Sequence, residues 1–209
     1  MPEPAPTTAA AEGASYRRAL VGLIGGWISI HSCMTGVRMA APLAVLREGH
    51  EPWAVGILLG LFATAPIVLA LSAGRLADRH GYHLPIRVAV GCSVTGALCA
   101  VGATWLSSPA SFLVLCLAAT LTGAGANYAQ IAIQRTAGRM SGKPTELKRI
   151  FSFLGLAPAL ANVVGPILAG VLIDLSGFAL AFVMLALLPL ASLAWAGRVP
   201  PEAQADRPR

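Results

Sequence analysis

Charge is what this sequence has least of. Only 11% of its 209 residues are Asp, Glu, Lys or Arg, against about 25% in an ordinary soluble domain. The few charges are also segregated. None falls between Arg18 and Arg38, Glu51 and Arg75, Arg87 and Arg135, Arg149 and Asp174, or Asp174 and Arg198. That pattern argues against a soluble protein with buried helices. Acidic residues are absent from the interior of every one of these runs, so no mid-run carboxylate is available to carry an ion. Cysteine is scarce too. Cys33, Cys92, Cys99 and Cys116 all lie in apolar runs without CxxC or metal-ligand spacing, which excludes a disulfide frame and a zinc site. The four histidines are scattered at positions 31, 50, 80 and 83. An intramembrane enzyme needs a buried nucleophile–base pair, a di-aspartate pair or a histidine metal cluster. The sequence offers none of them, so it implies no enzyme, no metal and no cofactor.

What is present is hydrocarbon. A helix needs about 20 apolar residues to cross roughly 30 Å of bilayer core. The run from Val88 to Gln134 is about twice that, and Ser107-Ser108-Pro109 divides it. The expectation is six spans, at 19–43, 53–74, 86–105, 111–134, 150–172 and 178–197. Residues 1–18 read as a cytoplasmic tail, disordered in its Pro-, Ala- and Thr-rich first part. Tyr16-Arg17-Arg18 before an apolar run also has the form of a signal peptide, but the run outlasts one, and cleavage leaves an odd number of spans.

With the N-terminus inside, the cytoplasmic segments hold Arg17, Arg18, Arg75, Arg79, Arg87, Arg135, Arg139, Lys143, Lys148, Arg149, Arg198, Arg207 and Arg209. These are thirteen of the 15 Lys and Arg residues. The positive-inside rule then puts both termini in the cytoplasm. The net charge of +6 is a topology signal beside an anionic leaflet and calls for no nucleic acid. Trp53, Trp105 and Trp195 stand at span ends, as interfacial aromatic belts do.

One phrase is written twice. Residues 73–82 read AGRLADRHGY and residues 169–178 read AGVLIDLSGF. The first joins spans two and three, the second spans five and six. An offset of three spans puts one element on opposite sides of the membrane, which is the trace of an inverted-topology repeat. The expected fold is therefore an all-α membrane protein of six transmembrane helices in two inverted three-helix repeats, 19–105 and 111–197. Residues 198–209 form a cytoplasmic tail.

Gly74-Arg75-Leu76-Ala77-Asp78-Arg79-His80-Gly81 closely resembles the loop signature G-x-L-a-D-r-x-G-r-k of the major facilitator superfamily, at the place where that family carries it. Tyr82-His83 replace its last basic pair. Gly165-Pro166-Ile167-Leu168-Ala169-Gly170 is similar to the G-P-x-x-G-G element of the family's antiporters and drug exporters, with Ala161 and Ala169 at two small positions. A third element is half present. Gly123 and Gly125 stand in span four, but Ala119 occupies the place of an arginine linked to proton transfer in the family. The family's members usually have twelve spans. The resemblance therefore implies an N-terminal half, with the 198–209 tail as the start of a central linker.

Two polar faces are candidates for a substrate pathway. Trp27, His31, Thr35 and Arg38 share one face of span one, and Gly123, Asn127, Gln130 and Gln134 share one face of span four. An in-span arginine costs at least about 2.5 kcal/mol unless it meets water or a partner. Arg38 therefore faces an aqueous cavity, suited to carboxylate or phosphate, or snorkels to the outer interface. His31 is either a packed hydrogen-bonding residue or a titrating one, and the amides either line a cavity or tie helices. Ala161, Gly165 and Ala169, with Pro166 and Gly170, read as a hinge or as close packing. The resemblance makes Gly74, Asp78, Arg79 and Gly81 a cytoplasmic gate, with Arg139 as the expected partner of Asp78. It predicts a severe loss of transport in Asp78→Asn and a mild one in Asp174→Asn.

The resulting expectation is a half-size secondary transporter in a bacterial cytoplasmic (inner) membrane. It exports a small organic solute, anionic compounds included, by alternating access. Its partners are that solute, the lipid bilayer and a second half, supplied by another copy, a separate chain or a further C-terminal portion. A non-transporting scaffold or receptor and an uncoupled facilitator are the alternatives.

Overall fold

Lipid offers a backbone no hydrogen bonds, so an apolar chain in a bilayer must satisfy its amides internally. Each apolar run of this chain does so as a helix. The computed structural model describes the backbone of residues 6–141 and 144–200, and the side chains of 13–141 and 145–200. It contains α1 (Pro6–Arg47), α2 (Pro52–His80), α3 (His83–Ala103), α4 (Ala110–Met140) and α5 (Pro144–Ala196). All five are long and apolar enough to cross a membrane.

Two expectations change. The N-terminal segment is helical from Pro6 onward instead of disordered. Alanine is the best helix former, and a proline in the first turn gives up only an N–H that has no helical partner. Residues 1–5, Lys143 and the tail beyond Pro200 lie outside the described residues. The second change concerns α5, which takes in both of the last two expected spans. Its 53 residues would stretch roughly 80 Å if straight, far more than a bilayer core. It is not straight. Gly177, with φ 83° and ψ 177°, interrupts it in a backbone region essentially reserved for glycine. The backbone of Gly36 on α1 abuts both the Gly165 carbonyl and the Leu185 side chain. The limbs 144–176 and 178–196 therefore fold back along the same neighbour.

The two copies of the repeated phrase share this device. Gly81 and Gly177 occupy the same place in the phrase, and both have positive φ, 68° and 83°. The earlier positions match as well: Ala73 and Ala169 are buried, while Asp78 and Asp174 are exposed.

Close approach between backbones fixes the relative directions of the helices. Thr35 Oγ1 donates to the Ala161 carbonyl at 2.8 Å, and Gly165 sits against Thr35, Ser32 and Gly36. So α1 and the first limb of α5 run parallel. Gly22 and Gly25 pack on Trp195, so the second limb runs antiparallel to α1. The G-x-G of α4 wedges that helix between two others: Gly123 meets the Phe62 backbone of α2, and Gly125 meets Ala89 and Ser93 of α3. Pro66 has no N–H, which leaves the Phe62 carbonyl without its usual helical donor. The side-chain-free Gly123 lets α4 close over that carbonyl.

Two hydrophobic clusters divide the bundle along its length. One joins Cys33–Val45 of α1 to Ala54, Leu58, Phe62, Leu115 and Phe182. The other joins Leu23, Trp27 and Ile30 to Tyr82, Ile86, Ile133, Leu154 and Val199. Both described ends of the chain belong to the second half. So do the turns carrying Arg75, Arg79, Arg87, Arg135, Arg139 and Arg149. At the opposite end, Ser111 Oγ donates to Glu48 Oε1 at 2.8 Å, and Trp53 and Trp105 stand exposed.

Candidate functional site

The doubled phrase places Asp78 near the C-terminal end of α2, where α4 runs parallel beside it. Three ties hold that seam. Asn127 Nδ2 donates to the Pro66 carbonyl at 3.2 Å, the Ser72 and Tyr128 hydroxyls lie 2.9 Å apart, and Arg135 Nε donates to Asp78 Oδ1 at 2.8 Å. The expected partner of Asp78 was Arg139. The structure puts Arg135, one turn earlier, in that role. Arg135, Ser72, Tyr128 and Pro66 were not singled out in the sequence. The signal was available for Arg135, since it lies one turn before Arg139 on the same helix. Arg79 is exposed, and Gly74 has no atom within 4 Å of where a Cβ would stand. Only Gly81 among these glycines is held by its backbone conformation, with its N–H bonded to the Ala77 carbonyl at 2.9 Å.

The face of α1 divides. Arg38 is exposed and His31 is half-buried, while Trp27 and Thr35 are buried. Thr35 was expected to line a cavity. It instead spends its hydroxyl on the Ala161 carbonyl, because α5 crosses α1 at that level. Trp27 was also placed on the pathway, but it packs in the core with its Nε1 sealed off and without a hydrogen-bond partner. On α4, Gln130 and Gln134 are half-exposed, whereas Asn127 is tied to α2. The structure thus brings Arg38, His31, Gln130 and Gln134 to the sides of α1 and α4 that remain partly open. Ala161, Gly165 and Ala169 are buried against α1, with Gly170 near Met39 and Pro166 half-buried beside them. This is close packing.

Burial is uneven among the helices. The most apolar stretches of α2 and α5 are only 22% and 28% buried, against 50% or more for α1, α3 and α4. On α2, Ile67, Val68 and Leu71 are each more than two-thirds bare, at 76%, 71% and 76% exposed.

A bundle with bare apolar faces outside and glycine-tight seams within is an all-helical, multi-pass membrane protein. The sequence pattern of the Major Facilitator Superfamily matches residues 20–209. The chain belongs to that family, whose members are membrane transporters. It is also 29% identical over 129 residues to the Na(+)/H(+) antiporter NhaA of Pseudomonas fluorescens (strain Pf0-1). That match takes in 54% of this chain and 30% of the antiporter's length.

Proposed function

We propose that this chain forms one half of a secondary transporter that moves a small organic solute, anions among them, by alternating access. The observation that carries the reading is the open polar side of α1 and α4. α5 packs on α1, α2 and α3 pack on α4, and α3 also meets α5. On this reading the partly open residues His31, Arg38, Gln130 and Gln134 line the front, flanked by the two helices with the barest apolar surfaces. A second half of similar shape, whether a further portion of the same polypeptide, another copy or a separate chain, closes that front into a pathway. Counting the limbs of α5 separately gives six crossings. The shared positive-φ glycines and burial pattern of the doubled phrase support two inverted three-helix repeats. The gathering of basic residues at the end holding both described termini supports a cytoplasmic placement of that end, in a bacterial inner membrane. Export is the favoured direction, through the likeness of the 165–170 element to those of exporters. The chain brings no mid-span carboxylate, so we assign any coupling ion to the second half.

Accessibility tests this reading. In a cysteine-free background, single cysteines at Gln130 and Gln134 should react with a membrane-impermeant thiol reagent through the aqueous pathway. Val68→Cys should not, although Val68 is 71% exposed, because hydrocarbon covers it. Glu51→Cys should label from outside, and Lys148→Cys only after permeabilisation. Reactivity at 68 without reactivity at 130 and 134, or outside labelling at 148, contradicts the proposal.

The gate pair carries a smaller prediction than the motif alone implied. Asp78 is 74% exposed and Arg135 17%, and such pairs contribute about 0–1 kcal/mol. A gate equilibrium moved by that much shifts up to about 5-fold. Asp78→Asn and Arg135→Gln should therefore each slow solute flux several-fold, with normal membrane abundance. Asp174→Asn, in the copy without arginines, should leave flux unchanged. A loss in Asp174→Asn as large as in Asp78→Asn would show that the outer copy is also a latch.

A further inference from the structure

A cavity of about 380 Å³ lies between the start of α3 and the end of α5, lined by His83, Ile86, Arg87, Leu193, Ala196 and Gly197. It is remote from the open front of α1 and α4, and it belongs to the basic end of the bundle. Among the described residues its polar lining is His83 and Arg87, with no carboxylate. Arg87 is exposed, so its guanidinium is free to present paired N–H donors to a phosphate. His83 is half-buried, with its ring edge-on to Tyr82 at 5.4 Å and its Nε2 without a hydrogen-bond partner. Arg198, the residue after the lining, lies over the Trp195 ring at 4.1 Å, which keeps a further positive charge at this end.

Apolar and side-chain-free positions adjoin the cavity on both helices. One turn further along α3, Gly91 has open space where a side chain would stand. On the facing limb of α5, Leu187, Leu190 and Leu193 are exposed. A cationic pocket at a membrane interface, leading onto bare leucines and a side-chain-free notch, matches one kind of molecule: an anionic head joined to a hydrocarbon chain.

We propose that this pocket is a binding site for an anionic phospholipid of the adjacent leaflet. Its phosphate pairs with the exposed Arg87, and an acyl chain lies along Gly91 and the leucines of α5. Such a lipid would pin α3 to the second limb of α5. The complementarity is both of charge and of shape along the membrane normal, since head and tail meet the lining that each requires. The site does not depend on the transport reading.

The test uses the chain purified in mild detergent, mixed with phosphatidylglycerol or phosphatidylcholine, and read by native mass spectrometry for retained lipid. Phosphatidylglycerol should be retained over phosphatidylcholine. Arg87→Gln should lower its retention about tenfold, the effect of losing a charge-assisted hydrogen bond. Lys148→Gln, which removes an exposed cation at the same end but outside the pocket, should not. Gly197→Leu gives an independent check. A Cβ there meets only the Ala194 carbonyl, at 3.6 Å, so the fold tolerates the change while the side chain fills the cavity, and retention should fall. Inorganic phosphate at equal concentration should not displace the lipid. Displacement by phosphate would make this a plain anion site. Equal retention of both lipids, or equal losses in Arg87→Gln and Lys148→Gln, would overturn the proposal.

Discussion

Gly165→Val leaves little folded chain in the membrane, and Gly165→Ala lowers stability by about 2–4 kcal/mol. The reason is the seam between α1 and α5. A Cβ at 165 points into Thr35 Oγ1 and lies 2.5 Å from the Ser32 carbonyl and 2.9 Å from the Gly36 nitrogen. Two of those three are backbone atoms, so no rotamer change relieves the contact and the helices must separate. Overpacking of that kind costs about 1–3 kcal/mol. Separation also breaks the Thr35–Ala161 hydrogen bond, a further contribution of about 1 kcal/mol. Gly155 on the same limb has open space around it, so Gly155→Ala should stay within about 0.5 kcal/mol of the parent. Thermal aggregation in detergent and membrane abundance of the three variants check this. Equal behaviour of the two alanine variants would mean that α1 and α5 do not meet at Gly165.

Arg38→Ala reduces solute flux roughly 10- to 150-fold, the loss of one charge-assisted contact to an anionic group, at normal abundance. Arg38 is exposed on a span and no described carboxylate pairs with it. On the proposed reading, water in the pathway or the substrate satisfies its charge. Arg38→Lys keeps the charge but loses the planar fork, and should retain part of the activity. Parent-like flux in Arg38→Ala would return the residue to a snorkelling role at the interface.

The gaps between charges placed the spans, because hydrocarbon leaves few alternatives for a run of 20 residues. The repeated phrase also announced its turns, since glycine at its ninth position is what a positive φ demands. What the sequence could not convey was which helix covers which face. Steps of four and three put Thr35 beside His31 and Arg38, yet α5 crosses α1 just where Thr35 projects. In the same way, Arg135 and Arg139 are equally basic and one turn apart. Only the parallel register of α2 against α4, set by Gly123 on Phe62, places Arg135 opposite Asp78. At Gly177 the last two expected helices meet at a single non-helical residue, at the glycine the repeated phrase marks. The N-terminal segment was misjudged on its prolines, although its alanines favour helix.

Flux from vesicles holding a single copy of the chain tests the central claim most directly, that this bundle is half of a pathway. The purified protein would be reconstituted at falling protein-to-lipid ratios and loaded with small organic anions. Flux should be absent from single-copy vesicles and appear when a second half is present, as a crosslinked pair of chains or a co-reconstituted partner. Undiminished flux per chain from single-copy vesicles would show that the open side of α1 and α4 needs no second half, and would contradict the account.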